Sequence, residues 1–216
     1  MKKIIFIVIS MLLTACNYNS QNNSNERTDI NTEVGATVAT TTSDINETTS
    51  NLPEGLAYQF ENGTFISIDS LISPMNKLNQ ICQGISSSVN FSDIYPYDIA
   101  IKLAEFNGVT DVSAYADFMY QRYIQMYGED FSMHNEYISC TPLSDDELLD
   151  MSKFYDEYFF TNITAEYGFI VESTFKVTYK DEAGNVKEDS SIDYYIAYSL
   201  NGIIYIDYFY VDTLDL

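Results

Sequence analysis

The chain has 216 residues, 32 of them acidic against 10 basic with a single histidine, which gives a formal net charge of −22 at pH 7. A surface of that sign repels DNA, RNA, anionic lipid headgroups and phosphate-rich polymers, and no basic cluster offsets it, so nucleic-acid binding is excluded. Nineteen Tyr and thirteen Phe with no Trp exceed what one small core needs.

In chain order, Lys2 and Lys3 precede an apolar run over residues 4–13. That run is too short to cross a bilayer as a permanent helix, but it has the length of a signal-peptide core. It ends in Leu13-Thr14-Ala15-Cys16, which resembles the bacterial lipobox. The resemblance implies that residues 1–15 are a lipoprotein signal peptide and that Cys16 becomes a diacylated N-terminus. Two acyl chains supply the second hydrophobic signal that stable anchoring needs, so the mature protein is expected on the extracellular face of the cell membrane. Residues 16–51 follow as the lipidated cysteine and an Asn/Ser/Thr-rich stretch without apolar periodicity. Such a composition cannot bury enough surface to offset its ordering entropy, and it reads as a disordered tether.

Residues 52–216 have the size of one domain with one core. Leu52 to Leu71 has no clear assignment; Phe65, Ile68 and Leu71 fit a short edge strand or an irregular lead-in. From Pro74, a good first-turn residue, Met75, Leu78, Ile81, Cys82 and Ile85 recur at helical spacing and predict a helix closed near Gly84. Pro96 opens a second helix through Ile99, Leu103 and Phe106, with Gly108 placed to end it. Thr110-Asp111 caps a third, with Val112, Tyr115, Phe118, Met119, Tyr123 and Tyr127 on its apolar stripe. Phe131 to Leu143 changes to a strand period and reads as an isolated strand. Ser144-Asp145-Asp146-Glu147 is a capping box for a fourth helix carrying Leu148, Met151, Tyr155 and Phe159.

Three runs of strand chemistry close the chain. Phe169, Val171, Phe175, Val177 and Tyr179 alternate with polar residues; after a turn at 181–185 the alternation resumes at Ile192, Tyr194, Ile196, Tyr198 and Leu200. Asn201-Gly202 suits a type I′ turn, so Ile203 to Val211 is expected to fold straight back as a hairpin. The order of elements predicts an α+β fold, with helices packed on a curved antiparallel meander and no repeated βαβ unit.

Met126-Tyr127-Gly128-Glu129-Asp130 before a strand, Leu143-Ser144-Asp145-Asp146-Glu147-Leu148 opening a helix, and Asn201-Gly202 through Asp207 in the last hairpin together resemble the nuclear transport factor 2-like (cystatin-like) α+β cone. They are similar in particular to small lipoproteins of this fold that Gram-positive bacteria anchor outside the cell. The likeness covers about residues 98–211. It departs from the pattern at Ile204, near where many relatives place a tryptophan. What it implies is a sheet curled around helices, with a pocket or a dimer face on its open side; fold alone assigns no activity.

On such a fold, Asp207 is the candidate carboxylate for a cone interior, with Tyr205, Phe209 and Tyr195 as companions in a pocket or interface. An edge position or pairing with backbone amides is the competing reading of Asp207. His134, the only histidine, sits on a predicted strand among polar residues and reads as exposed. No Cys/His cluster provides a zinc site, and no loop has the Asp-x-Asp-x-Asp-Gly spacing of a calcium site. Ser173-Thr174-Phe175-Lys176 has the Ser-x-x-Lys spacing of penicillin-interacting serine enzymes but lies mid-strand without companion motifs. Cys82 and Cys140 are a candidate disulfide, and each equally suits a buried apolar position. The aromatic surplus and the two-sided apolar last strand are compatible with a homodimer or an envelope protein partner. These features predict a non-catalytic, cofactor-free, lipid-anchored binding or assembly module. The alternative is a small-molecule-binding protein or enzyme using an acidic, tyrosine-lined cone pocket.

Overall fold

The computed structural model describes residues 52–85 and 90–214; the expected signal peptide, Cys16 and the expected tether lie outside the described residues. The fold is α+β, with four α-helices and two antiparallel sheets among the described residues. A two-stranded sheet pairs β1 (Leu56–Gln59) with β2 (Phe65–Ser67). The helices are α1 (Ile68–Cys82), α2 (Tyr97–Phe106), α3 (Val112–Tyr127) and α4 (Asp145–Phe159). The main sheet runs in the order β3 (Phe131–Pro142), β4 (Tyr167–Lys180), β5 (Val186–Leu200), β6 (Ile203–Asp207). No described helix is long and apolar enough to cross a membrane.

Each helix begins where local chemistry satisfies its orphan amides. Asp111 accepts the Ala114 N–H at 2.9 Å to start α3. Ser144 and Glu147 form the reciprocal capping box of α4. Helix α1 starts two turns before the proline expected to open it, and Pro74 lies inside it. Ser67 is the cap, its Oγ accepting the Ser70 N–H at 3.1 Å. A mid-helix proline costs about 3 kcal/mol, but the added turns bury Leu71 and Ile72, each contributing about 1.5–3 kcal/mol. Burial therefore outweighs propensity. At the other end, Gly84 at φ +70° closes the helix as expected, with the Gly84 and Ile85 amides bonded back to Ile81 and Gln80.

The meander forms as its alternation predicts, and Asn201 and Gly202 both take positive φ in the final turn. Two expectations are corrected. Strand β3 is not isolated; it pairs with β4 from Phe131↔Tyr179 to Pro142↔Phe169, across one irregularity between Tyr137 and Ser139. Strand β6 stops at Asp207 rather than Val211, because the Asp207 carboxylate turns the chain by capping the amides that follow.

Register then separates the two faces of the sheet. Phe169, Val171, Ser173, Val177, Asp193, Tyr195 and Ala197 share one face, over which α1 is laid by Tyr195, whose hydroxyl donates to the Leu71 carbonyl at 3.1 Å. Ile196, Tyr198 and Asp207 share the other face, which α4 reaches through Tyr155. Residues 195–199 are consequently buried on both faces. The surplus aromatics fill these two layers: Tyr58 and Phe60 lie against Tyr167 and Phe169, Phe154 lies against Tyr210, and Phe159 lies against both Tyr155 and Phe209. The last strand is covered within the chain at Ile206 and Asp207, whereas Ile203 at its start is exposed.

Candidate functional site

Strand β5 keeps its expected alternation, but the first part of the Ile192–Tyr194–Ile196–Tyr198 face is left uncovered. Ile192 and Tyr194 are exposed, while Asp193, in phase with the buried Tyr195 and Ala197, points under α1. Its Oδ2 accepts the Tyr208 hydroxyl at 2.7 Å and the Asn135 amide at 3.0 Å. Asn135 also donates to Ser173 at 2.8 Å and accepts from Asn79 of α1 at 2.8 Å. Asn79, Asn135 and Ser173 are all buried, so this is a satisfied interior network, and it fixes the Asp193 side chain by contacts from α1, β3, β4 and the segment after β6. Ser173 belongs to it as a buried hydrogen-bonding group.

Beside the network is a cavity of about 370 Å³, within the size range of small-molecule sites. Met75, Leu78, Asn79 and Cys82 of α1 form one wall, Tyr115, Met119 and Tyr123 of α3 another, and Phe175, Asp193, Tyr208, Phe209 and Asp212 the floor and rim. Helix α1 supplies its wall by helical spacing, since residues 75, 78, 79 and 82 lie on one face.

The electrostatics of the cavity are one-sided. Burial pushes the Asp193 carboxyl above the usual carboxylate range, against the opposing pull of hydrogen bonds from Tyr208, Asn135 and the Tyr194 backbone. Asp212 is also raised, by partial burial first and then by the Asp193 charge. The Tyr208 hydroxyl is raised by burial and by that same charge. No Lys, Arg or His is among the described residues lining the cavity.

The four residues singled out from the sequence are not brought together. Asp207 is fully buried on the α4 face. It accepts the Tyr155 hydroxyl on Oδ1, the Phe209 N–H on Oδ1 at 3.2 Å, and the Tyr210 and Val211 N–H groups on Oδ2 at 2.9 and 3.1 Å. Burial lifts its pKa to about 6 despite these bonds. With three backbone amides as partners, Asp207 has the structural role that was its competing reading. Tyr205 is half-buried on the same side, 6.1 Å from the Tyr198 ring. Tyr195 is buried under α1, 6.0 Å from the Tyr208 ring. Of the four, Phe209 alone lines the cavity.

Asp193 was not singled out because its neighbours Ile192 and Tyr194 carry the apolar alternation. The usable signal was its phase with Tyr195 and Ala197.

Cys82 and Cys140 stand as thiols rather than as a disulfide. Cys82 faces the cavity, whereas the Cys140 sulfur is directed at the Ala57 carbonyl, 3.7 Å away. His134 is on the exposed face and pairs with Glu136 at 3.2 Å. Among the described residues no group of three or more His, Cys, Asp or Glu is placed to hold a metal ion. Compared with known proteins, this chain matches no protein-family model, no curated protein and no solved structure.

Proposed function

We propose that this chain is a lipid-anchored protein of the extracellular face of the cell membrane whose nuclear transport factor 2-like cone is a non-catalytic module binding a small molecule. The observation that carries the binding reading is the 370 Å³ cavity under α1, with an ordered carboxylate at its floor and aromatic and thioether walls. Sites of this kind combine an apolar lining with a few fixed polar groups that orient the ligand. Binding is favoured over acid–base catalysis because the environment pushes Asp193 and Asp212 in the same direction. Proton-transfer pairs have their pKa values pushed apart. It is favoured over assembly through the last strand because residues 195–199 of β5 and the Ile206–Asp207 end of β6 are buried within the chain.

The anchor is tested by Cys16→Ser, which is expected to release the protein from the membrane fraction and abolish fatty-acid incorporation. The cavity is tested by titrating small aromatic and aliphatic fragments while recording amide NMR shifts. Shifts at Leu78, Asn79, Asp193 and Tyr208 that vanish in Met119→Trp, which fills the cavity, are expected. An absence of shifts across cationic, neutral and anionic fragments overturns the reading.

A further inference from the structure

The cavity has a charge of one sign and a lining suited to the opposite sign. Asp193 stands at its floor and Asp212 at its rim, close enough for the first charge to act on the second. No cationic side chain among the described lining residues answers them. Arg122 lies over the Phe118 ring, 5.7 Å from its centroid, and is not part of the lining. The Asp193 carboxylate is held in one orientation, because both of its side-chain donors, Tyr208 and Asn135, converge on Oδ2.

We infer that the ligand is an organic cation with an apolar body: an ammonium or amidinium head against Asp193 and Asp212, and the body between Met75, Met119, Tyr115 and Phe175. The inference rests on the binding reading above and deepens it. An anionic ligand would meet two carboxylates and no compensating cation. A neutral one would leave those carboxylates partly desolvated and still repelling each other. A cation relieves both costs, and the tyrosine and phenylalanine rings add attraction through their faces. The strongly acidic chain raises the local concentration of cations near the cavity as well.

Three probes of the same aromatic body and different charge isolate the effect: benzylammonium, benzyl alcohol and benzoate, titrated into the chain from Asn17 onward with amide NMR as readout. Benzylammonium is expected to bind at least about tenfold tighter than benzyl alcohol, with no benzoate shifts at cavity residues. Asp193→Asn is expected to reduce the preference to about threefold or less. The exposed-site variant Asp212→Asn is expected to lower it in the same direction, so the result does not depend on Asp193→Asn remaining folded. Equal affinity for the ammonium and the alcohol overturns the cation assignment while the cavity reading stands. Silence from all three probes overturns both. Calcium chloride producing the same shifts at the same residues overturns the organic cation in favour of a metal.

Discussion

Tyr208, just past the end of β6, donates its hydroxyl to the Asp193 carboxylate of β5 at 2.7 Å, and the Met75 sulfur of α1 lies 3.1 Å from the same oxygen. One phenol therefore locks a strand, a helix and the segment after the sheet around the floor of the cavity. Tyr208→Phe is expected to cost about 1.5–3 kcal/mol at pH 7, the worth of a hydrogen bond to a charged group. It also removes a bond that favours the ionised carboxyl, so the Asp193 pKa, already raised by burial, moves higher still. Urea unfolding at pH 7 and pH 3.5 checks this. The loss should shrink at the lower pH, where the Asp193 carboxyl is protonated.

Asp207 gives the chain a pH dependence of definite sign. Its folded pKa of about 6 lies above its unfolded value of 3.8, so the native state holds the proton more tightly. The group's contribution is fully present below about pH 3.8 and is lost as pH rises through 6, amounting to roughly 3 kcal/mol. The stability of the wild type relative to Asp207→Asn should fall across that window. Asp130, Glu136 and Asp181 have lowered pKa values from Lys180, Lys176 and Asn185 respectively and oppose this trend in the whole-protein curve, which is why the comparison with the variant is the measurement. A difference that stays flat or rises between pH 4 and 6 would refute the assignment.

The helices and the meander were legible because caps and period-2 alternation are local: Asp111, the Ser144–Glu147 box and Asn201-Gly202 act within a few residues of where they stand. What failed depends on partners distant in sequence. Helix α1 reaches back past Pro74 because Leu71 and Ile72 find the core. Ile192 and Tyr194 share the face of Ile196 and Tyr198 but lie at its exposed end, while Asp193 on the opposite face is held by a network that reaches α1. Asp207 was legible as unusual but not as structural, because its partners are the backbone amides of the turn it makes and the hydroxyl of Tyr155.

Two buried phenols on the α4 face should respond oppositely to loss of the hydroxyl. Tyr155 donates to Asp207, and Tyr155→Phe is expected to destabilise by about 1.5–3 kcal/mol at pH 7. The Tyr198 hydroxyl is buried without a partner among the described residues. Removing such a group relieves a desolvation penalty, so Tyr198→Phe is expected to be neutral or to stabilise by about 1 kcal/mol. Thermal or urea unfolding of the two variants side by side decides it, and a Tyr198→Phe loss as large as that of Tyr155→Phe would be inconsistent with an unsatisfied hydroxyl.

Both edges of the main sheet are partly covered by the chain's own groups, at Met133 and Asn135 of β3 and at Ile206 of β6, and this bears on self-association. On the outer edge of β3, the Asn135 N–H donates to Oδ1 of Asn76 in α1 at 3.0 Å and the Met133 N–H to Oε1 of Gln83, the C-cap of α1, at 3.2 Å; the amide nitrogens of those two side chains donate back to the Asn135 and Met133 carbonyls. Two side-chain amides seven residues, about two helical turns, apart thus stand in for a neighbouring strand. At the opposite edge, the Ile206 N–H donates to the Ile94 carbonyl at 3.0 Å. Uncovered edges are templates for pairing with a second chain. The unaltered chain is expected to scatter light as a monomer across a wide concentration range. Asn76→Ala combined with Gln83→Ala should cost about 1–3 kcal/mol for each amide removed and should promote association through β3. A double variant that loses stability yet stays monomeric would show that the two amides hold α1 to the sheet without guarding its edge.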